Sequence, residues 1–398
     1  MDFDFTTVWE RRGHDAIAVD ALYEEGPHPH VPETVTDPLP MWIADMNFAT
    51  APAVTEAIAR RLAHPLFGYF APREEYFDSI LRWQKARNGR TDITKEDIRF
   101  ENGVLGGVIN ALNVCCSRAD KVLVHSPVYV GFTGVLANNG YQAVHSPLIK
   151  DAQGVWRMDF DDMEKKVTEQ KIHAVIFCSP HNPTGRVWEK EEVEAFMDFA
   201  KRHDLTVLSD EIWSDLLLDG HKHVPTQSVS EDARMRTVTF HAPTKTFSLA
   251  GLTGSYRICP NRKMQERLDR EASLSHFNNL NVLSMYSVIG AFSPEGEAWL
   301  DALLPVLSEN VRILTDFLQG IPGVSLTPPE GTYMLFPDFT EWCRLHGRTL
   351  DDMLTAAWAA GVAIQDGRPF FGENCVRINA ALPTARVREA VERLRKIL

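Results

Sequence analysis

Short β-branched runs alternate with amphipathic stretches through the middle of the chain. Four runs read as strands: Lys121–His125, His173–Cys178, Leu205–Ser209 and Arg236–Phe240. Each is nearly continuous in apolar or β-branched residues, the pattern of a strand buried on both faces. Between them, Lys190–Arg202 carries Val193, Phe196, Met197 and Ala200 at helical spacing. Strands alternating with helices predict an α/β unit whose mostly parallel sheet lies between helices.

The pattern changes toward the C-terminus. Residues 296–320 form a long helical pattern, and Pro383 precedes another with the stripe Val387, Ala390, Val391, Leu394 and Ile397. Strand-like pieces lie between, near Thr332–Phe336 and Val376–Asn379. This predicts a smaller α+β unit. The expected division is a turn-rich segment over 1–50 that packs with the small domain, a large domain over 51–290 and a small domain over 291–398.

Composition narrows the class. The 398 residues hold 41 Lys plus Arg against 54 Asp plus Glu, a net charge of −13. That balance gives no electrostatic reason to bind nucleic acid. No run approaches the ~20 apolar residues of a membrane helix. The acidic, aromatic start MDFDFTTVWERRGHD lacks a secretory pattern, so a cytoplasmic protein is expected. Six scattered cysteines without a C-x-x-C pair argue for reduced thiols, with Cys115–Cys116 in an apolar core. The His28/His30 and His221/His223 pairs lack the further ligands of a metal site, so no metal is expected. The Met and Phe residues near 276–286 read as channel wall or core.

Chemistry concentrates in four segments: Glu101–Gly107 (ENGVLGG), Ser179–Arg186 (SPHNPTGR), Ser209–Trp213 (SDEIW) and His241–Gly251 (HAPTKTFSLAG). Three of them directly follow predicted buried strands, where ligands bind in open α/β sheets. Taken singly, each has a plain structural reading. A lone lysine is usually a solvated charge. Asp210 fits a helix N-cap. Asn182-Pro-Thr-Gly185 is good turn chemistry. Tyr129 fits a packed strand end, and Arg377 a surface strand.

Together and in this order they resemble fold-type I pyridoxal 5′-phosphate (PLP) enzymes of the aminotransferase superfamily. The finer resemblance is to its MalY/PatB branch of cystathionine β-lyase-like C–S lyases. It is carried also by Leu39–Met46 (LPMWIADM), His64–Tyr69 (HPLFGY), Ser126–Tyr129 (SPVY), Asp219–His223 (DGHKH), Pro329–Tyr333 (PEGTY) and Arg377–Asn379 (RIN).

The resemblance implies PLP joined to Lys245, which also serves as base at the substrate Cα. It places Asp210 at the pyridine nitrogen, Asn182 at the phenolic oxygen and Tyr129 on the ring face. The backbone N–H groups of Gly103, Val104 and Leu105, with Thr244, would hold the phosphate. Tyr69 would be donated by the neighbouring subunit of a homodimer, contributing to both cofactor and substrate sites. Arg377 would grip the substrate carboxylate, beside Asn182. Trp213 stands near the phenolic oxygen, where transaminases often have Tyr and this branch often has His. Thr253 stands where many transaminases place an arginine. Asn47 replaces an acidic residue, and Ala16–Ala18 departs from the usual N-terminal pattern.

The implied activity is α,β-elimination from L-cystathionine or a related L-cysteine S-conjugate, giving a thiol, pyruvate and ammonia. The same residues serve an aminotransferase of class I/II type, and a regulatory binding protein on the PLP fold is a third reading.

Overall fold

The computed structural model describes residues 3–275 and 279–398. Of the Met and Phe residues near 276–286, Phe277 lies outside the described residues, and Met285 is buried in the core. Seven strands build the central sheet: β1 Ile98–Glu101, β2 Lys121–Ser126, β3 Gln142–Pro147, β4 Ala174–Cys178, β5 Thr206–Asp210, β6 Thr237–His241 and β7 Ser255–Ile258. Their order is β1-β7-β6-β5-β4-β2-β3. Pairs β3/β2, β2/β4, β4/β5 and β5/β6 are parallel, whereas β7 runs antiparallel to both β6 and β1.

Period-two alternation explains why both sheet faces are dry. Val122, Val124, Ile176 and Leu208 pack with Val104, Val108 and Phe132 on one side. Their neighbours Leu123, Val175, Phe177 and Val207 pack with Val193, Phe196 and Ala200 on the other. Successive strand residues point to opposite faces, so a strand covered on both is apolar or β-branched at nearly every position.

The predicted strands are found with boundaries moved by one residue, and β5 now ends on Asp210. No helix follows it: Ile212–Asp215 is a turn. Asp210 accordingly caps that turn, its Oδ1 accepting the Ile212 N–H at 3.0 Å, and is not a helix N-cap. Cys115 and Cys116 are also half-buried at the end of the helix Val104–Cys115 and not fully inside.

Toward the C-terminus, Val376–Asn379 lies between Met334–Leu335 and Gln365–Asp366 in an antiparallel sheet. The long helix Pro294–Gln319 and the helix Thr384–Leu394 pack beside it. Leu39–Pro40 pairs in parallel with Val362–Ala363, so the early chain is tied to the late chain. Arg377 therefore enters from a different sheet than Asp210 and Lys245.

Candidate active site

Because β2, β4, β5 and β6 are parallel, the loops leaving them emerge at one edge. Strand β1, antiparallel to β7, delivers the N-terminus of the helix Val104–Cys115 to the same edge. Here lies a cavity of about 230 Å³ lined by Gly103, Val104, Leu105, Tyr129, Asn182, Asp210, Trp213, Thr244 and Lys245. These nine are residues the sequence singles out. Strand β7 starts where its neighbours end, so Thr253 and Ser255 line the cavity too. Nothing in the sequence of Ser255 signals this; only the antiparallel direction of its strand does.

Lys245 sits in the one-turn helix Pro243–Thr246 directly after β6. That turn is fixed from below, where Thr246 Oγ1 donates to the buried Asp215 carboxylate at 2.9 Å and Trp83 Nε1 donates to the same group at 3.0 Å. Lys245 Nζ donates to the Ala44 carbonyl at 2.9 Å and stands 5.6 Å from the centre of the Trp213 ring. Burial, then the like charge of Arg377, lowers its pKa to about 8, against the pull of Asp45 and Asp210. Desolvation favours the neutral amine, the form that acts as nucleophile or base.

Asp210 is shifted the other way. Burial lifts its carboxyl to about 7, while the Ile212 N–H and Lys245 oppose the rise and Glu211 adds to it. A buried carboxylate facing a cavity is stabilised by any cationic ring nitrogen placed there. Adjacent Glu211 points away and serves the scaffold. It accepts from His223 Nε2 at 2.9 Å, from the Thr226 N–H at 3.0 Å and from Ser209 Oγ at 3.1 Å. His223 of the second His-x-His pair is thus engaged by a carboxylate.

Burial pushes Glu211 up, but His223, His241 and the Thr226 N–H outweigh it and hold the carboxyl at about 2. A depressed native pKa stabilises the fold above the ordinary value of 4.5 and loses that contribution as pH falls toward 2. Thermal unfolding followed between pH 5 and 2 is expected to show a steep loss of midpoint. Glu211→Gln flattens that part of the curve; an unchanged slope would contradict the assignment.

Arg377, on Val376–Asn379, is 4% exposed, which removes the surface-strand reading. Its Nη1 donates to Asn182 Oδ1 at 3.3 Å, and its Nη2 donates to Gln365 Oε1 at 2.5 Å and to the Trp42 carbonyl at 3.3 Å. The Phe370 ring lies 4.5 Å from the guanidinium carbon. Burial lowers its pKa to about 10, with Tyr129 and Tyr333 opposing. No carboxylate pairs with it among the described residues, and its buried Nε has no partner there. A buried guanidinium without a counter-charge is suited to an anionic ligand.

Tyr129 leads into the helix Val130–Asn138, and burial raises its phenol pKa. A Cβ on Gly131 would come within 2.4 Å of the Tyr129 ring, so this glycine makes the room for it. Trp213 packs edge-on against Tyr333 at 4.9 Å. Gly103, at φ 80°, turns the chain so that the helix Val104–Cys115 opens at the cavity with no side chain capping its first N–H groups. Such an N-terminus is a ready anion site.

Tyr69 is elsewhere. It is fully exposed in the stretch before the helix Glu74–Asn88, in a run with the exposed Leu66, Phe67 and Phe70, and does not line the cavity of its own chain. Residues given no chemical role by the sequence reading also reach the site. Ala44 holds Lys245, while Gln365 and Trp42 hold Arg377. The LPMWIADM run signalled a family but not a task for its backbone.

The donor set fits PLP: a buried amine, a buried carboxylate, an amide, an aromatic face and a helix N-terminus around one cavity. The family model for aminotransferase class I and II matches residues 38–394. The cystathionine β-lyase PatB of Bacillus subtilis is 34% identical over 92% of this chain and 93% of its own. The protein MalY of Escherichia coli is 29% identical over 98% of this chain and 97% of its own. The crystal structure of cystalysin from Treponema denticola, which contains PLP, superimposes with a TM-score of 0.90 at 31% identity, covering 100% of this chain and 99% of that one. The cavity, its donors and these likenesses agree that the chain belongs to the aminotransferase class I and II family, in its MalY/PatB branch.

Proposed function

We propose that this protein is a PLP-dependent C–S lyase that eliminates the thiol from L-cystathionine or a related L-cysteine S-conjugate, leaving pyruvate and ammonia. The observation that carries the reading is the meeting of Lys245, Asp210 and Asn182 at one cavity with the uncompensated Arg377 hydrogen-bonded to Asn182. Relatives that bear the names cystathionine β-lyase and C–S lyase support the reaction class.

PLP bound here supplies an electron sink for the charge that develops at the substrate Cα. Lys245 would anchor it and would take the Cα proton. An amine whose pKa lies near 8 is well matched to proton transfer close to neutral pH. Asp210 would keep a proton at the ring nitrogen. Asn182 and Trp213 would serve the phenolic oxygen, and Tyr129 would cover the ring. The N–H groups of Gly103, Val104 and Leu105, with the Thr244 hydroxyl, would hold the phosphate. Arg377 fixes the substrate carboxylate and with it the direction of the Cα–H bond.

The working molecule in this reading is a cytoplasmic homodimer, each chain divided into 1–50, 51–290 and 291–398. The exposed apolar run at Leu66–Phe70 supports burial against a second copy, which would bring Tyr69 to the partner's cavity. Six free thiols fit a reducing compartment. No helix among the described residues is long and apolar enough to cross a membrane. Mixing inactive Tyr69→Ala with inactive Lys245→Ala and allowing subunits to exchange is expected to restore activity, because one site of the mixed dimer then has both residues. No recovery despite exchange would place Tyr69 in its own chain's site or in neither.

The reaction itself is tested by supplying purified, cofactor-loaded protein with L-cystathionine and no α-keto acid. Thiol and pyruvate are expected in equal amounts. Turnover only after adding an α-keto acid would overturn elimination in favour of transamination.

A further inference from the structure

Lys245 is held from two directions, and only one of them is the sheet edge. The other is the loop 43–47. Its backbone is pinned throughout: Asn379 Nδ2 donates to the Ile43 carbonyl at 2.7 Å and to the Asp45 carbonyl at 2.6 Å. The Met46 N–H donates to Ser248 Oγ at 3.0 Å and the Asn47 N–H to the Ala381 carbonyl at 2.9 Å. Ala44, in the middle, offers its carbonyl to Lys245 Nζ at 2.9 Å and to the Tyr333 hydroxyl at 3.2 Å.

The next side chain, Asp45, is half satisfied. Oδ2 accepts from Arg11 Nη2 at 2.7 Å, while the buried Oδ1 has no partner among the described residues. The other arm of the same guanidinium, Nη1, donates to Asn47 Oδ1 at 2.8 Å. Asn47 is the position where the resemblance led one to expect an acid. A neutral amide there accepts the Arg11 hydrogen bond without competing for its charge, so Asp45 keeps the ion pair to itself. Arg11 thus fixes the orientation of a carboxylate whose backbone is already fixed by other bonds.

We propose that Asp45 is a positioning residue for Lys245: the Arg11 fork clamps a carboxylate whose inner Oδ1 is buried and unpartnered among the described residues, one residue from the Ala44 carbonyl that accepts from the lysine amine, and this fixed negative charge acts on that amine. The charged groups that act on Lys245 are Arg377, which opposes a proton on its nitrogen, and Asp45 and Asp210, which favour it, with the Trp213 ring and the Ala44 carbonyl alongside. The inference rests on the cofactor reading above, under which Asp210 is engaged by the ring nitrogen. Asp45 is then the carboxylate left to govern the lysine.

The test is the pH titration of the bound cofactor's visible absorbance, whose midpoint reports the proton on the Lys245 nitrogen, in holoenzyme of wild type, Asp45→Asn, Asp45→Glu and Arg11→Lys. Asp45→Asn is expected to lower the midpoint by about one unit, a tenfold loss of proton affinity. Asp45→Glu recovers part of that. Arg11→Lys, which keeps the charge but not the two-armed grip, moves the midpoint the same way by less. A midpoint in Asp45→Asn within about 0.2 unit of wild type, at full cofactor content, overturns the proposal. So does loss of cofactor from Asp45→Asn that Asp45→Glu does not repair, since that is a structural role only. A wild-type protein that shows no such absorbance overturns the cofactor reading itself, a different failure from an unshifted midpoint.

Discussion

Lys245→Ala is expected to abolish thiol and pyruvate release while leaving the fold intact. The side chain packs no core: it makes one hydrogen bond, to the Ala44 carbonyl, and lines the cavity. Truncating it also removes a desolvated amine, so the thermal midpoint should hold or rise. In the proposed reading the catalytic loss combines two functions in one atom. Proton transfer by a positioned base contributes about 10²–10⁴-fold on its own, and the covalent hold on the cofactor goes with it. Steady-state pyruvate release and a melting curve on the same preparation check both halves. Activity within tenfold of wild type in a folded variant would contradict the assignment.

Asp210→Asn is the second large effect, and its two consequences have opposite signs. The amide oxygen can still accept the Ile212 N–H that Oδ1 accepts at 3.0 Å, so the turn survives. What disappears is the negative charge that the proposed reading sets beside the ring nitrogen. Removing one preorganised electrostatic stabiliser costs about 10²–10³-fold in kcat, with KM moving much less. In cofactor-free protein the burden runs the other way. A carboxyl lifted to about 7 favours the fold at pH below its unfolded value of 3.8, and that contribution is lost as pH rises through 7. Asp210→Asn should therefore raise the melting temperature of cofactor-free protein at pH 8 and leave it unchanged at pH 4. A poorer enzyme that is also less stable at pH 8 would mean Asp210 is a structural residue only.

How much of this was legible in the sequence depended on period and order. The parallel strands β2, β4, β5 and β6 announced themselves because burial on both faces favours apolar or β-branched residues at nearly every position, and Leu123 and Val124 show that demand from opposite sides. The edge strand Gln142–Pro147 did not, since an edge tolerates polar residues and a terminal proline. Asp210 fits a helix N-cap in the sequence, yet the residues after it form a turn, and Trp213 packs against Tyr333 of a distant segment.

The cavity donors after parallel strands could be found by motif, since their position follows from where each strand ends. Ser255 could not, because strand direction is a tertiary fact. The 43–47 loop was visible as a motif, but its use is backbone chemistry. A carbonyl at Ala44 looks the same in every sequence, and only folding brings it to Lys245 across 201 residues of chain. Tyr69 is the converse case: the resemblance sends it to a neighbouring subunit's site, and its own chain leaves it in solvent.

The measurement that tests the central claim most directly is borohydride reduction of the holoenzyme followed by peptide mass mapping. The account predicts that the cofactor's mass is fixed on the peptide carrying Lys245, and that prior incubation with L-cystathionine without borohydride leaves one thiol per pyruvate in solution. Cofactor fixed on another lysine, or on none, would contradict the assignment of this cavity as the site of C–S bond cleavage.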